Sequence, residues 1–171
     1  FKIRNGRQKV AKAVAEDFAV TGRIRYTGIP GLELAATAQY QADISQGLGT
    51  ESAEATLFEA HVAYQSDSGF GLRALYAVWN VDGTAAEAIG RDRQEGFYIE
   101  PSYRVNEAFG LFARYSEWNN EAGLPSSGAT TQFDLGLNWW LHENVVVKID
   151  YENQGGRKDA DGFNIGLGFQ Y

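Results

Sequence analysis

Charged residues recur at alternate positions along the chain, each beside a large apolar neighbour. They are Arg23, Arg25, Glu33, Glu59, Arg73, Glu100, Arg104, Arg114, Asp134, Lys148 and Asp150. No isolated pair among them divides into an acid and a base. Set around water, such a mixture selects among passing ions instead of breaking bonds, because rings of charge set a pore's preference. The arginines either guide anions or pair with Glu33, Glu59, Glu100 and Asp134 to neutralise a wet wall. The only histidines are His61, near mid-strand, and His142, in a turn, and neither meets a loop serine for nucleophilic chemistry. Cysteine is absent, which excludes disulfides, zinc–thiolate sites and thiol catalysis. Asp159-Ala-Asp-Gly162 has the opening of a calcium loop without its downstream Glu, and reads as a turn. The basic run Lys2, Arg4, Arg7, Lys9 and Lys12 suits either a solvated loop or contact with lipopolysaccharide phosphates. No enzyme activity, metal or cofactor is expected.

The elements that hold these charges read as strands. In Phe163, Ile165, Leu167, Phe169 and Tyr171 every second residue is large and apolar, with Asn164, Gly166, Gly168 and Gln170 between. Period two means a strand with one greasy and one polar face. The same alternation runs through Phe18–Tyr26, Leu32–Asp43, Ala55–Gln65, Phe70–Asn80, Phe97–Val105, Phe109–Trp118, Gln132–Leu141 and Val145–Glu152. That makes about nine strands of roughly 9–12 residues, long enough to cross a bilayer at a tilt. Pro101 falls inside one of them and cannot donate a ladder hydrogen bond, so a bulge or local gap is expected there. No apolar run approaches the ~18 residues of a membrane-spanning helix, and Phe1–Lys12 lacks the apolar segment of a signal peptide.

Connections alternate in length. Thr27–Gly31, Ser66–Gly69, Val105–Glu107 and Leu141–Asn144 are short; Ile44–Glu54, Val81–Gly96, Asn119–Thr130 and Asn153–Asp161 are long. Outer-membrane barrels keep tight periplasmic turns at one end and long loops at the other. Charges on the face opposite the apolar one rule out a small dry core, where burial would be prohibitive. They suit a water-filled lumen. Aromatics near strand ends, such as Phe18, Tyr26, Tyr40, Tyr64, Phe70, Tyr103, Phe109, Trp139 and Tyr171, suit two interfacial girdles. The expectation is therefore an all-β, antiparallel transmembrane β-barrel in the outer membrane of a Gram-negative bacterium. The net charge of −7 and pI near 4.8 argue against nucleic-acid binding.

If the last strand ends in the periplasm, the Phe18–Tyr26 strand runs inward from outside. Residues 1–17 then form an extracellular loop or the tail of a preceding strand, and residues 18–171 the barrel strands. An odd count implies at least one further strand upstream, since single-chain barrels of this kind are even-numbered.

Two segments carry a family resemblance: Asn138-Trp-Trp-Leu-His-Glu-Asn-Val-Val-Val-Lys-Ile-Asp-Tyr151, and Asp161-Gly-Phe-Asn-Ile-Gly-Leu-Gly-Phe-Gln-Tyr171. Together they resemble the closing hairpin of the phosphate-selective porin O/P-like family. Gly28-Ile-Pro-Gly-Leu-Glu-Leu34 and Gly96-Phe-Tyr-Ile-Glu-Pro-Ser-Tyr-Arg104 are similar to earlier hairpins of that family. The resemblance implies a trimeric porin barrel of about 16 to 18 strands, of which this chain is the C-terminal half. It also implies that Phe163, Ile165, Leu167, Phe169 and Tyr171 form the signal read by the barrel assembly machinery. The specialised members line their pores with a dense basic ladder, whereas this lumen mixes Arg with as many acids. The expected function is passive diffusion of small hydrophilic solutes, with an anion preference. The alternative is a small plugged barrel serving as an anchor or adhesin.

Overall fold

The computed structural model describes residues 14–47, 51–157 and 160–170. Nine strands form one antiparallel sheet in sequence order: β1 (Ala19–Ile29), β2 (Leu32–Gln41), β3 (Ala55–Gln65), β4 (Phe70–Val81), β5 (Arg93–Arg104), β6 (Phe109–Asn119), β7 (Thr130–His142), β8 (Val145–Gly156) and β9 (Ala160–Phe169). One short helix, α1 (Thr84–Glu87), interrupts the β4–β5 connection. β1 and β9 are the two edges of the sheet.

The alternation fixes the register. Leu135 and Leu137 face Tyr151 and Ile149 across the ladder, while Asp134 and Asn138 face Glu152 and Lys148. A slip of one residue would exchange the two faces entirely. Register shifts occur only beside short turns, between Tyr26 and Ile29 and between Trp140 and His142. Two turns are two residues long, Pro30-Gly31 and Glu143-Asn144; in the first, Gly31 sits at φ 76° against the Gln65 carbonyl, a conformation and space that a side chain would deny.

Exposure is inverted relative to a soluble protein. Ile24, Phe163 and Ile165 are 78–79% exposed, whereas Glu100, Asp134 and Asp150 are only 7–8% exposed. Hollows also lie on the polar side, so the polar face is the concave one, where side chains converge. An apolar surface of this extent is not left to water by soluble monomers. On the convex face, toward the long-loop end, tyrosines point up to acids: Tyr76 donates to Glu95 at 2.9 Å, Tyr115 to Glu117 at 2.9 Å, and Tyr151 to Asp161 at 3.2 Å. A ring rooted in apolar surface with its hydroxyl on a carboxylate marks the upper edge of the apolar band.

Several expected boundaries move. β2 stops at Gln41, and Asp43 folds back into the loop as a buried hub. β5 begins at Arg93 and β7 at Thr130, and the supposed loop Asn153–Asp161 shrinks to residues 157–159. Polar composition misleads here because the strands continue above the apolar band, where alternation gives way to water-soluble residues. Asn153, for example, pairs with Phe133 and Asp161 in the ladder. At Pro101 the β5–β6 ladder skips from Ile99–Tyr115 to Ser102–Phe112 with no change of register, so there is a gap and no bulge. Tyr171, the basic run Lys2–Lys12 and Asp159 lie outside the described residues.

The long connections are joined edge to edge. Asp82 N–H donates to the Glu54 carbonyl (2.9 Å) and Gly123 N–H to that of Gly90 (3.0 Å). Ala53, Ala55, Val81 and Ala86 make a small apolar core between two of the loops. Glu121 accepts from Arg91 at 2.9 Å and also pairs with Arg157, tying three connections together. These guanidinium groups, Arg91 first, hold the Glu121 carboxyl below the usual range. Burial of Asp43 raises its carboxyl. Hydrogen bonds from Ala53 N–H, the Ser45 hydroxyl, Gly47 N–H and Ser45 N–H outweigh that effect and bring it down to about 2.

Candidate functional site

The concave face carries all eleven charged residues singled out in the sequence, in two clusters and a third run. On β1–β3, Arg23 and Arg25 reach Glu33 at 3.3 and 3.7 Å. His61 lies between two carboxylates, 2.5 Å from Glu59 and 3.2 Å from Glu33. On β4–β6, Arg114 meets Glu100 at 2.6 Å and Arg73 meets it at 3.7 Å. On β7–β9, Lys148 pairs with Asp150 at 3.5 Å, Asn164 donates to Asp150 and Glu152, and Gln132 donates to Asp134. Arg104 donates to the backbone carbonyls of Asn106 and Glu107.

Aromatic rings on the same face were hidden in the sequence because they occupy the polar phase of their strands. The Arg104 guanidinium stacks 4.3 Å above Trp140, Arg114 4.5 Å above Tyr98, and the Lys148 ammonium 4.4 Å above Phe112. Two of these rings lie on a glycine of the next strand. A Cβ at Gly110 would meet Trp140 ring atoms at 2.9–3.0 Å, and one at Gly136 would collide with the Phe112 ring. The layering is therefore glycine, ring, cation. A glycine opposite an in-phase aromatic was the signal available in the sequence: Gly136 pairs with Phe112 directly.

The pairs are lopsided in exposure. Side chains of Arg73, Lys148 and Arg114 are 67%, 46% and 35% exposed, while those of Glu100 and Asp150 are each 10% exposed. Arg104, Arg114 and Lys148 pack on rings, Arg73 extends into solvent without one, and the shorter acids lie at the wall beneath. Solvent on this face meets positive charge although the chain is acidic overall. This cation-lined hollow measures about 580 Å³.

No protein-family model matches the chain, and no curated protein does. Among solved structures it is similar to the outer membrane channel DcaP of Acinetobacter baumannii, with a TM-score of 0.52 and 13% identity, over 82% of this chain and 44% of that one. It is also similar to the KdgM porin, with a TM-score of 0.48 and 12% identity, over 90% and 76% of the two chains. The fold is that of an outer-membrane porin wall. The chain spans less than half the length of DcaP, and what it describes is an open stretch of such a wall. In this fold the convex apolar band is the bilayer-facing surface and the concave polar face is the inner one.

Among the described residues no group of three or more His, Cys, Asp or Glu is placed to hold a metal. Asp161 is engaged by Tyr151 and Asn153 on the convex face. His142 sits at the end of β7, where its Nδ1 accepts from Asn144 N–H at 3.3 Å, whereas His61 lies mid-strand in β3.

Proposed function

We propose that this chain forms part of the wall of an outer-membrane diffusion channel for small hydrophilic solutes, with a preference for anions and no catalytic step. The observation that carries the reading is the exposure asymmetry of the concave face. Arg73, Arg104, Arg114 and Lys148 stand toward the inner space while Glu100, Asp134 and Asp150 lie buried beneath them. Exposed cations raise local anion concentration within a Debye length of about 8 Å at physiological salt.

The parity of the sheet supports a larger barrel. β1 and β9 run the same way, so antiparallel closure requires an odd number of further strands. With it go a homotrimer, an outer-leaflet setting of lipid and lipopolysaccharide, and delivery by the barrel assembly machinery through the closing strand. Support for that last role is the lipid-facing alternation of Phe163, Ile165, Leu167 and Phe169, each 67–78% exposed.

The test is conductance of the full-length protein in planar bilayers under a salt gradient. Each exposed cation–anion encounter is worth about 0.2–1 kcal/mol, so Arg73→Gln, Arg104→Gln and Arg114→Gln together should lower anion preference roughly fivefold. The shift should shrink at high salt. An unchanged reversal potential removes the arginines from the mechanism. A folded protein without conductance favours the plugged anchor.

A further inference from the structure

Above the cation layer the inner wall changes character. A second hollow of about 830 Å³ has Trp79, Trp118 and Ser116 on its lining, together with Arg91, Glu121 and Arg157 and with Glu95 and Glu117, whose carboxylates accept from the Tyr76 and Tyr115 hydroxyls. Register offsets the two indoles by two residues, about 7 Å along the strands. Trp118 pairs with Gly96, Gly96 with Ala77, and Trp79 with Gln94. They stand two strands apart, about 10 Å laterally. Both are half-buried: Trp79 packs in part against the small loop core, and the remainder of each ring lines the hollow. No cation stack like those on Trp140 and Phe112 covers either indole among the described contacts. The charges at the rim, Arg91, Glu121 and Arg157, are engaged with one another.

Large flat apolar surface on a wet wall, fringed by hydrogen-bonding groups, matches a solute with the same two features. Resting on the reading of this face as a channel wall, the geometry points to a binding subsite for an uncharged saccharide, stacked on Trp118 and Trp79. A pyranose presents a C–H face to the indole and hydroxyls around its edge to Ser116, while Gln94 and Thr130 lie buried in the wall behind, the Gln94 amide donating to the Arg91 carbonyl. The arginines beside this hollow, Arg91 and Arg157, are already paired with Glu121, so a small anion gains more from the exposed cation layer below. An apolar ring solute would leave the polar fringe unpaired. The subsite lies toward the long-loop end, so a solute entering there meets the indoles before the arginines.

The test uses the full-length protein in lipid nanodiscs and planar bilayers, with the neutral trisaccharide maltotriose as probe. Tryptophan fluorescence should change saturably, and maltotriose should interrupt ionic current in a saturable way. Trp118→Ala and Trp79→Ala should each weaken the response about tenfold. Trp118→Phe, which keeps a ring, should stay within about threefold and guards against a folding defect. Gly162→Ala, on β9 with nothing within 4 Å of its absent Cβ, should leave it unchanged. The subsite is overturned by a linear, viscosity-like loss of current, by equal affinity in Trp118→Ala, or by saturation with benzoate and not maltotriose. Absence of conductance would sink the channel reading alone, because the fluorescence titration decides the subsite independently.

Discussion

The lower and upper parts of the concave wall use the same ingredients differently. In the lower part, Phe112 and Trp140 lie on the glycines of neighbouring strands and carry Lys148 and Arg104 on their other faces. Those rings are wall, and the chemistry offered to solvent is cationic. In the upper part, Trp79 and Trp118 sit in the same phase of alternation without such a cation stack; Trp79 leans in part on the loop core, and the rest of the two rings lines the hollow. An in-phase aromatic is structural or available according to what its cross-strand neighbours leave above and below it. Residue type alone does not decide.

The largest test of this contrast strikes what both parts share, the convex apolar face. Leu135, mid-strand in β7 and 56% exposed, should lie near the bilayer midplane. Leu135→Arg should cost about 2–4 kcal/mol of folding stability in lipid, measured by denaturant titration in vesicles. A neutral outcome would return this face to water.

Next comes the glycine–ring–cation layer. Gly136→Val should expel Phe112 and with it Lys148, costing about 1–3 kcal/mol by overpacking. Gly162, with nothing within 4 Å of its absent Cβ, is the control. Gly162→Ala should stay within about 0.5 kcal/mol. Equal effects at the two glycines would show that the ring contact carries no stability.

A smaller effect separates the electrostatics of the two parts. Glu100 lies under Arg73 and Arg114, whereas Glu121 belongs to the loop collar above. Glu100→Gln should raise anion preference by up to about fivefold, on the scale of roughly 1 kcal/mol for a partly exposed pair. Glu121→Gln should leave selectivity unchanged and loosen the loops, read as faster proteolysis of residues 82–92 and 120–129. The reverse pattern would move the selective layer to the rim.

The smallest effect is in pH. Asp43, brought down to about 2 by its hydrogen bonds, contributes stability that is complete above its ordinary value of 3.8 and is lost as pH falls toward 2. Glu121, also lowered, acts in the same direction. Hydrogen-exchange protection factors in residues 42–47 should therefore stay constant from pH 7 to about 4 and fall only below that. Loosening at pH 5 would mean that Asp43 does not hold the loop.

Period-two alternation makes both faces legible from residue order alone, because a strand sends successive side chains to opposite sides whatever surrounds it. Counting along the strands puts Arg73, Glu100, Arg114 and Asp134 on one face, and Ile165 and Leu167 on the other. The ends of strands are less legible. Arg93–Gly96 and Asn153–Gly156 look like loop because they leave the apolar band while their ladders continue. The rings of Tyr98, Phe112, Trp118 and Trp140 do not stand out as a group, since their alignment with Gly96, Gly110 and Gly136 depends on register between strands.

By itself, then, the sequence determined the strand type, the two faces, the short and long ends, and the set of charges that share the concave side. These follow from local geometry and from the cost of burying charge. Only the tertiary structure decided which charges meet solvent and which lie under them. Cross-strand pairing set Glu100 beneath Arg114 at 2.6 Å and Lys148 above Phe112 at 4.4 Å. Curvature then crowded the short acids into the wall and left the longer cations standing in the open, three of them, Arg104, Arg114 and Lys148, braced on rings.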